Sequence, residues 1–165
     1  YYDYGRIKVN TTAVYQVENA AAAIRACEVL IRECGLGKIT VKSIWAGIEG
    51  MFWAGRMEEA APGVYIDGAH NEDGIAAFVE SLNKTPVFDE NGCGVRNVLV
   101  FSVVKDKQYD KMIEMLCGLS MITDFVVTHI PGERGAALEE LGNIFERYAG
   151  FPFSSIFSLS SSSAA

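Results

Sequence analysis

One short run, Asp67-Gly68-Ala69-His70-Asn71, gathers a carboxylate, a glycine, an imidazole and an amide. It follows Gly63-Val64-Tyr65-Ile66, a stretch of strand-forming character. After it come Glu72-Asp73-Gly74 and a helix-patterned segment in which Ile75, Phe78, Val79 and Leu82 fall on one face. In open α/β sheets, ligands bind where the carboxyl end of a strand meets a helix N-terminus. The backbone N–H groups and helix dipole there suit an anion. Asp67 at such a junction can hold ribose hydroxyls, ligate a metal or act as a base; it can also simply stabilise the helix start through the dipole. His70 can donate to an anion, shuttle a proton, or be a satisfied structural residue. Upstream, Asn19 places an amide beside an alanine run, as a cap, a solvated residue or a contact to a ligand. Arg56 lies in Phe52-Trp53-Ala54-Gly55-Arg56-Met57-Glu58, a connection without clear period, either at a specific site or on a packed linker.

Several chemistries lack their residues. No Gly-x-Ser-x-Gly elbow supplies a nucleophile to Asp67 and His70, so a hydrolase triad fails. No Gly-x-Gly-x-x-Gly follows a strand, and no Gly-x-x-x-x-Gly-Lys-Ser/Thr appears to cradle β- and γ-phosphates. Cys27, Cys34, Cys93 and Cys117 form no Cys-x-x-Cys pair, and His70 and His129 are the only histidines. A structural zinc site therefore has few ligands, and free thiols in a reducing cytosol are expected. The net charge of −7 would repel an extended phosphate backbone, which argues against nucleic acid. No apolar run reaches the roughly 18 residues of a membrane span. Tyr1–Arg6 also lacks the basic-then-apolar pattern of a signal peptide.

The elements that would position these residues fall into two parts. Half of the 165 residues are hydrophobic and 21% are charged, an ordinary globular balance. Arg6 to Tyr15 alternates as a strand or hairpin would. Gln16 to Cys34 reads as a helix with Ile24, Cys27, Leu30, Ile31 and Cys34 on one stripe and Gly35 as its stop. Thr40 to Ile48 reads as a shorter helix capped by Thr40 and ended by Gly50. Beyond residues 57–62 the pattern becomes α/β alternation. Val64–Ile66 is a first buried strand, 75–83 a helix, 84–96 a turn-rich loop, and 97–104 a strand apolar on both faces. A helix beginning at Asp106 follows, then a strand over 125–130, a helix over 134–149 and a fourth strand within 153–159. The tail from Ser160 has no core-forming pattern. Strands separated by such helices imply right-handed crossovers and a Rossmann-like, mostly parallel sheet flanked by helices.

Three blocks in this order resemble the folylpolyglutamate synthase/dihydrofolate synthase family of the Mur ligases. They are Gln16-Val17-Glu18-Asn19-Ala20-Ala21-Ala22-Ala23-Ile24, Trp53-Ala54-Gly55-Arg56-Met57-Glu58 and Asp67-Gly68-Ala69-His70-Asn71. Phe101-Ser102-Val103-Val104-Lys105-Asp106-Lys107 is similar to a later strand-to-helix turn of the family. The resemblance implies an ATP-dependent ligase that joins a folate or pteroate carboxylate to the amine of glutamate through an acyl phosphate. It implies that Asn19 contacts adenine, Arg56 a nucleotide phosphate and Asp67 the ribose hydroxyls. His70 would face glutamate and the reacting phosphate as the catalytic candidate, and Lys105 and Asp106 would line the cleft. It also implies that residues 1–57 end a central ATP-binding domain and that 58–165 form a glutamate-ligase C-terminal domain, clipped at its end. The family's phosphate loop, Mg2+ ligands and modified lysine would lie outside this chain, which holds no metal ligands of its own. On that basis the parent is a cytoplasmic, ADP-forming acid–amino-acid ligase and a monomer, with ATP, glutamate and folate or dihydropteroate as partners. The chain alone would then be inactive. The alternative is a stand-alone, catalytically inactive α/β module that binds a nucleotide or a protein.

Overall fold

Helix α1 (Tyr15–Cys34) forms where the alanine run and the apolar stripe predict it, and Gly35 ends it in a left-handed conformation, φ +64°. Helix α2 (Val41–Glu49) starts at a reciprocal cap. The Ser43 N–H donates to the Thr40 hydroxyl, and the Thr40 N–H donates to Ser43 Oγ. The computed structural model describes residues 4–85, 96–150 and 157–159, the last as backbone. Packing divides the chain into two compact units, Tyr1–Gly68 and Ala69–Ala165.

In the first unit, Ala20 of α1 packs with Ile44 and Ile48 of α2, and Ile7, Val9, Ile24, Cys27, Ile31 and Ile39 close around them. Of the expected stripe on α1, Cys34 is exposed and Leu30 is 38% exposed. The alternating segment from Arg6 forms no strand: Ile7 and Val9 anchor an irregular segment against the helix pair. The alternation therefore recorded two apolar contacts rather than a ladder. Trp45 Nε1–H donates to the Tyr4 carbonyl at 2.9 Å, a further tie between that segment and α2.

The strand at Val64–Ile66 also departs from expectation. It is β2 of a two-stranded antiparallel hairpin with β1 (Glu58–Ala61), and all three of its residues are exposed. Pro62 and Gly63 make the reversal, with Gly63 at φ +74°, a backbone state that glycine adopts without steric cost. A strand paired in this hairpin is not part of the parallel sheet.

That sheet lies in the second unit, with order β3-β4-β5 and every pairing parallel. Its strands are β3 (Val98–Phe101), β4 (Asp124–Thr128) and β5 (Phe157–Leu159), interleaved with α4 (Tyr109–Cys117) and α5 (Leu138–Ala149). Helix α3 (Glu72–Lys84) precedes them, capped by Asn71, whose Oδ1 accepts the Gly74 N–H at 2.8 Å. Phe145 of α5 is fully buried, edge-on to Phe101 at 5.7 Å and tilted against Phe125 at 5.1 Å. Met112, Ile113 and Leu116 of α4 complete this core with Leu141 and Val127. Strand β3 is not buried on both faces: Val98 and Val100 are 52% and 64% exposed while Phe101 is buried. Two helices start later than predicted. Residues 104–107 turn, with Lys107 N–H donating to the Val104 carbonyl at 3.2 Å, and 134–136 pair with 103–105 instead of coiling. The loop predicted over 84–96 and the strand within 153–159 lie partly outside the described residues. The serine-rich tail lies wholly outside them. Among the described residues no helix is long and apolar enough to cross a membrane.

Candidate functional site

The β1–β2 hairpin brings the ends of the central connection together. Glu58 pairs with Ile66, so Met57 comes beside Asp67. The Met57 N–H donates to Asp67 Oδ2 at 2.9 Å, and the Gly68 N–H donates to the Gly55 carbonyl at 2.7 Å. Gly55 N–H in turn donates to Glu58 Oε2 at 2.7 Å. Met57 stands at φ +47°, a left-handed backbone that costs a non-glycine residue about 1 kcal/mol. Its side chain is only 4% exposed. The N-terminal segment also holds this residue, because Thr12 Oγ1 donates to the Met57 carbonyl at 3.2 Å.

Helix α1 contributes its first residue. The Tyr15 hydroxyl donates to the same Asp67 Oδ2 at 2.8 Å. Burial raises the Tyr15 phenol well above its ordinary value, and the hydrogen bond and charge of Asp67 raise it further. The Arg56 guanidinium beside it pulls the other way. Arg56 Nη1 also lies 3.8 Å from where a side chain on Gly68 would begin. Tyr15, Arg56 and Asp67 thus form one polar cluster.

A cleft of about 520 Å3 opens beside it, lined by Lys8, Thr12, Gln16, Trp53, Arg56 and Met57 among others. Trp53 is 66% exposed and Phe52, also on the lining, 76%. Gln16 is buried, and its Oε1 accepts from Asn19 Nδ2 at 2.9 Å, so the exposed Asn19 is tethered to a residue of the cleft wall. The lining offers amides, hydroxyls, aromatic faces, the Arg56 guanidinium and the Lys8 ammonium, together with the carboxylates of Glu58 and Glu59. The two cations can meet anionic groups and the amides a polar ring edge.

Of the residues singled out from sequence, Arg56 and Asp67 meet around Tyr15, and Asn19 lies on the following turn of α1. His70 belongs to the second unit, exposed just before the Asn71 cap of α3. Lys105 and Asp106 are exposed beyond the end of β3, where Lys105 N–H donates to the Arg134 carbonyl at 2.8 Å. Sequence reasoning missed Tyr15, Gln16 and Met57. The available signal was the placement of Tyr15, Gln16 and Asn19 within one and a half turns of a single helix. Among the described residues no group of three or more His, Cys, Asp or Glu side chains converges to hold a metal ion.

No family model matches the chain. Over 115 residues, 68% of the chain, it is 34% identical to the dihydrofolate synthase/folylpolyglutamate synthase of Bacillus subtilis, covering 25% of that protein. The folylpolyglutamate synthase of Lacticaseibacillus casei is 28% identical over 67% of the chain and 24% of its own length. Among solved structures, Mycobacterium tuberculosis folylpolyglutamate synthase complexed with ADP superposes with a TM-score of 0.75 at 26% identity. The match covers 94% of this chain and 32% of that one. Escherichia coli FolC in complex with ADP, at 23% identity and a TM-score of 0.65 over 87% of this chain and 30% of that one, shares the fold. The chain thus spans about a quarter of the length of the curated relatives it matches. With its α/β fold and parallel sheet, it belongs to the folylpolyglutamate synthase/dihydrofolate synthase family, of Mur-ligase-like fold, and corresponds to a part of its members.

Proposed function

We propose that this chain supplies the adenosine side, and part of the glutamate side, of the site in an ATP-dependent ligase that adds glutamate to a folate or dihydropteroate. The observation that carries the reading is the cluster of Arg56 and Asp67 around Tyr15 beside a cleft whose wall reaches Asn19 through Gln16. Asn19 reads the adenine edge as an amide can, and Arg56 contacts a nucleotide phosphate. Asp67 accepts from the ribose hydroxyls. In the parent's domains, 1–57 ends the central ATP-binding domain and 58–165 belongs to the C-terminal domain, where His70 faces the reacting groups.

In the reaction, a substrate carboxylate oxygen attacks the terminal phosphorus of ATP, giving an acyl phosphate and ADP. The glutamate amine then attacks the acyl carbon and phosphate leaves. This chain's residues bind and orient the nucleotide for the first step. Mg2+ would be held mainly by residues of the parent outside this chain, and it would neutralise the nucleotide phosphates there.

The test is calorimetric titration of the chain with ADP, alongside Asp67→Ala and Arg56→Ala. The reading expects weak binding by the wild type and at least tenfold weaker binding by each variant, about 1.4 kcal/mol. Equal binding by all three removes the assigned site. Measured glutamate ligation by the chain alone would show that the chain is not merely part of one.

A further inference from the structure

Resting on the reading of Asp67 as the ribose ligand, we infer that Tyr15 is a positioning residue that holds the Asp67 carboxylate ready for the sugar. Asp67 is half-buried at the end of β2, and a carboxylate there can turn about its Cβ–Cγ bond. Two donors meet at one of its oxygens: the Tyr15 hydroxyl at 2.8 Å and the Met57 N–H at 2.9 Å. They approach from different elements, one from the first residue of α1 and the other from the connection between α2 and β1. Two bonds to one oxygen from separate elements restrict the turning of the carboxylate more than either does by itself. The backbone donor is itself fixed, because the Met57 carbonyl accepts from Thr12 and the adjoining Gly55 carbonyl accepts from Gly68. The phenol is a side-chain donor, and a single substitution removes it.

The surroundings keep the phenol protonated and able to donate. Burial and the Asp67 carboxylate oppose its ionisation, and they outweigh the neighbouring Arg56 guanidinium, which favours it. A side chain held in its binding geometry before the ligand arrives avoids the ordering cost of association. Tyr15 then influences affinity for a ribose without touching it, and the effect must be specific to the part of the ligand that Asp67 meets.

The experiment compares the affinities of ADP and 2′-deoxy-ADP for the chain as it stands, by calorimetry, in wild type, Asp67→Asn, Tyr15→Phe and Trp45→Phe. Trp45→Phe removes a structural hydrogen bond elsewhere in the same unit. The expected result is a wild-type preference for ADP that falls toward unity in Asp67→Asn and in Tyr15→Phe, with ADP binding about tenfold weaker in the latter. Trp45→Phe keeps the preference even where its melting temperature drops. A Tyr15→Phe protein that retains the wild-type ratio, or weakens both ligands equally, overturns the positioning role while leaving Asp67 in place. A wild-type chain indifferent to the 2′-hydroxyl, or an unchanged ratio in Asp67→Asn, removes the ribose reading and the Tyr15 role with it.

Discussion

The Tyr15 hydroxyl and Asp67 Oδ2, 52 residues apart in sequence, are joined by a 2.8 Å hydrogen bond. The bond closes the first unit on itself, tying the start of α1 to the end of the β1–β2 hairpin.

The titration of Tyr15 follows from that contact. Its folded-state value lies above the unfolded one, so the folded chain holds the phenolic proton more tightly. The stabilisation is complete below the unfolded value near 10 and is lost as pH rises above it toward the folded value. Absorbance at 295 nm should show Tyr15 among the phenols that ionise above the ordinary tyrosine range, with Tyr109 and Tyr148, which donate to Glu140 and Asp110. Tyr15→Phe should remove one of these late-titrating groups. Urea midpoints should fall more steeply above pH 10 in wild type than in Tyr15→Phe. Asp67→Asn should bring Tyr15 part of the way down and leave Tyr109 and Tyr148 where they are.

Asp124 makes the opposite prediction in acid. Arg96 donates to both of its oxygens, at 2.7 and 2.6 Å, and Thr123 Oγ1 adds a third bond. Hydrogen bonding from Arg96 first, and then from Thr123, holds the carboxyl down to about 2. This contribution is present above the unfolded carboxylate value near 4 and is lost as pH falls from there toward 2. Carboxyl NMR should locate the transition near 2 in wild type, and Arg96→Ala should move it upward toward the ordinary range. Because the pair is exposed, its effect on stability should be small and should fade with salt.

Thiol reactivity should divide by burial. Burial pushes Cys117 up to about 11, while Cys34 is exposed at the end of α1. At pH 8 the thiolate fraction of Cys117 is about a thousandth. Alkylation followed by mass spectrometry should label Cys34 within minutes and leave Cys117 unmodified until urea is added. Comparable labelling of the two would contradict the packing around α4.

One substitution in the core and one in the strap should separate loss of packing from steric conflict. Phe145→Ala removes a ring packed against Phe101 and Phe125 and should cost about 3–5 kcal/mol in urea denaturation. Gly135→Ala would place a methyl group 2.4 Å from the Ile130 carbonyl oxygen and 2.7 Å from the His129 ring. A backbone atom cannot step aside as a flexible side chain can, so the strap between 103–105 and 134–136 must shift. The expected signature is a lowered melting temperature with faster amide exchange at Lys105 and Ala136, whose N–H groups make the strap.

Local grammar was legible wherever one element sufficed to write it. The Thr40 cap, the Gly35 stop and the 3.6-residue stripes of α3 and α5 all follow from neighbouring residues. Strand β1 was invisible because Glu58-Glu59-Ala60-Ala61 has no β-forming side chain; its hairpin partner and the Pro62-Gly63 turn make it a strand. The late start of α5 has a similar cause: Gly135 and Ala136 are occupied by a partner some thirty residues upstream. In the site, Arg56 and Asp67 were legible as chemistry-bearing residues in unusual contexts. Tyr15 was not, because a tyrosine at a helix start reads as packing until the chain brings Asp67 to its hydroxyl.

Met57 carries a consequence of its own. Its amide proton rests on Asp67, its carbonyl on Thr12, and its side chain is buried. A nucleotide that meets the carboxylate as it stands leaves that proton sheltered, whereas one that must turn the carboxylate first uncovers it. Deuterium uptake at this single amide therefore separates a receptor shaped in advance from one shaped by its ligand.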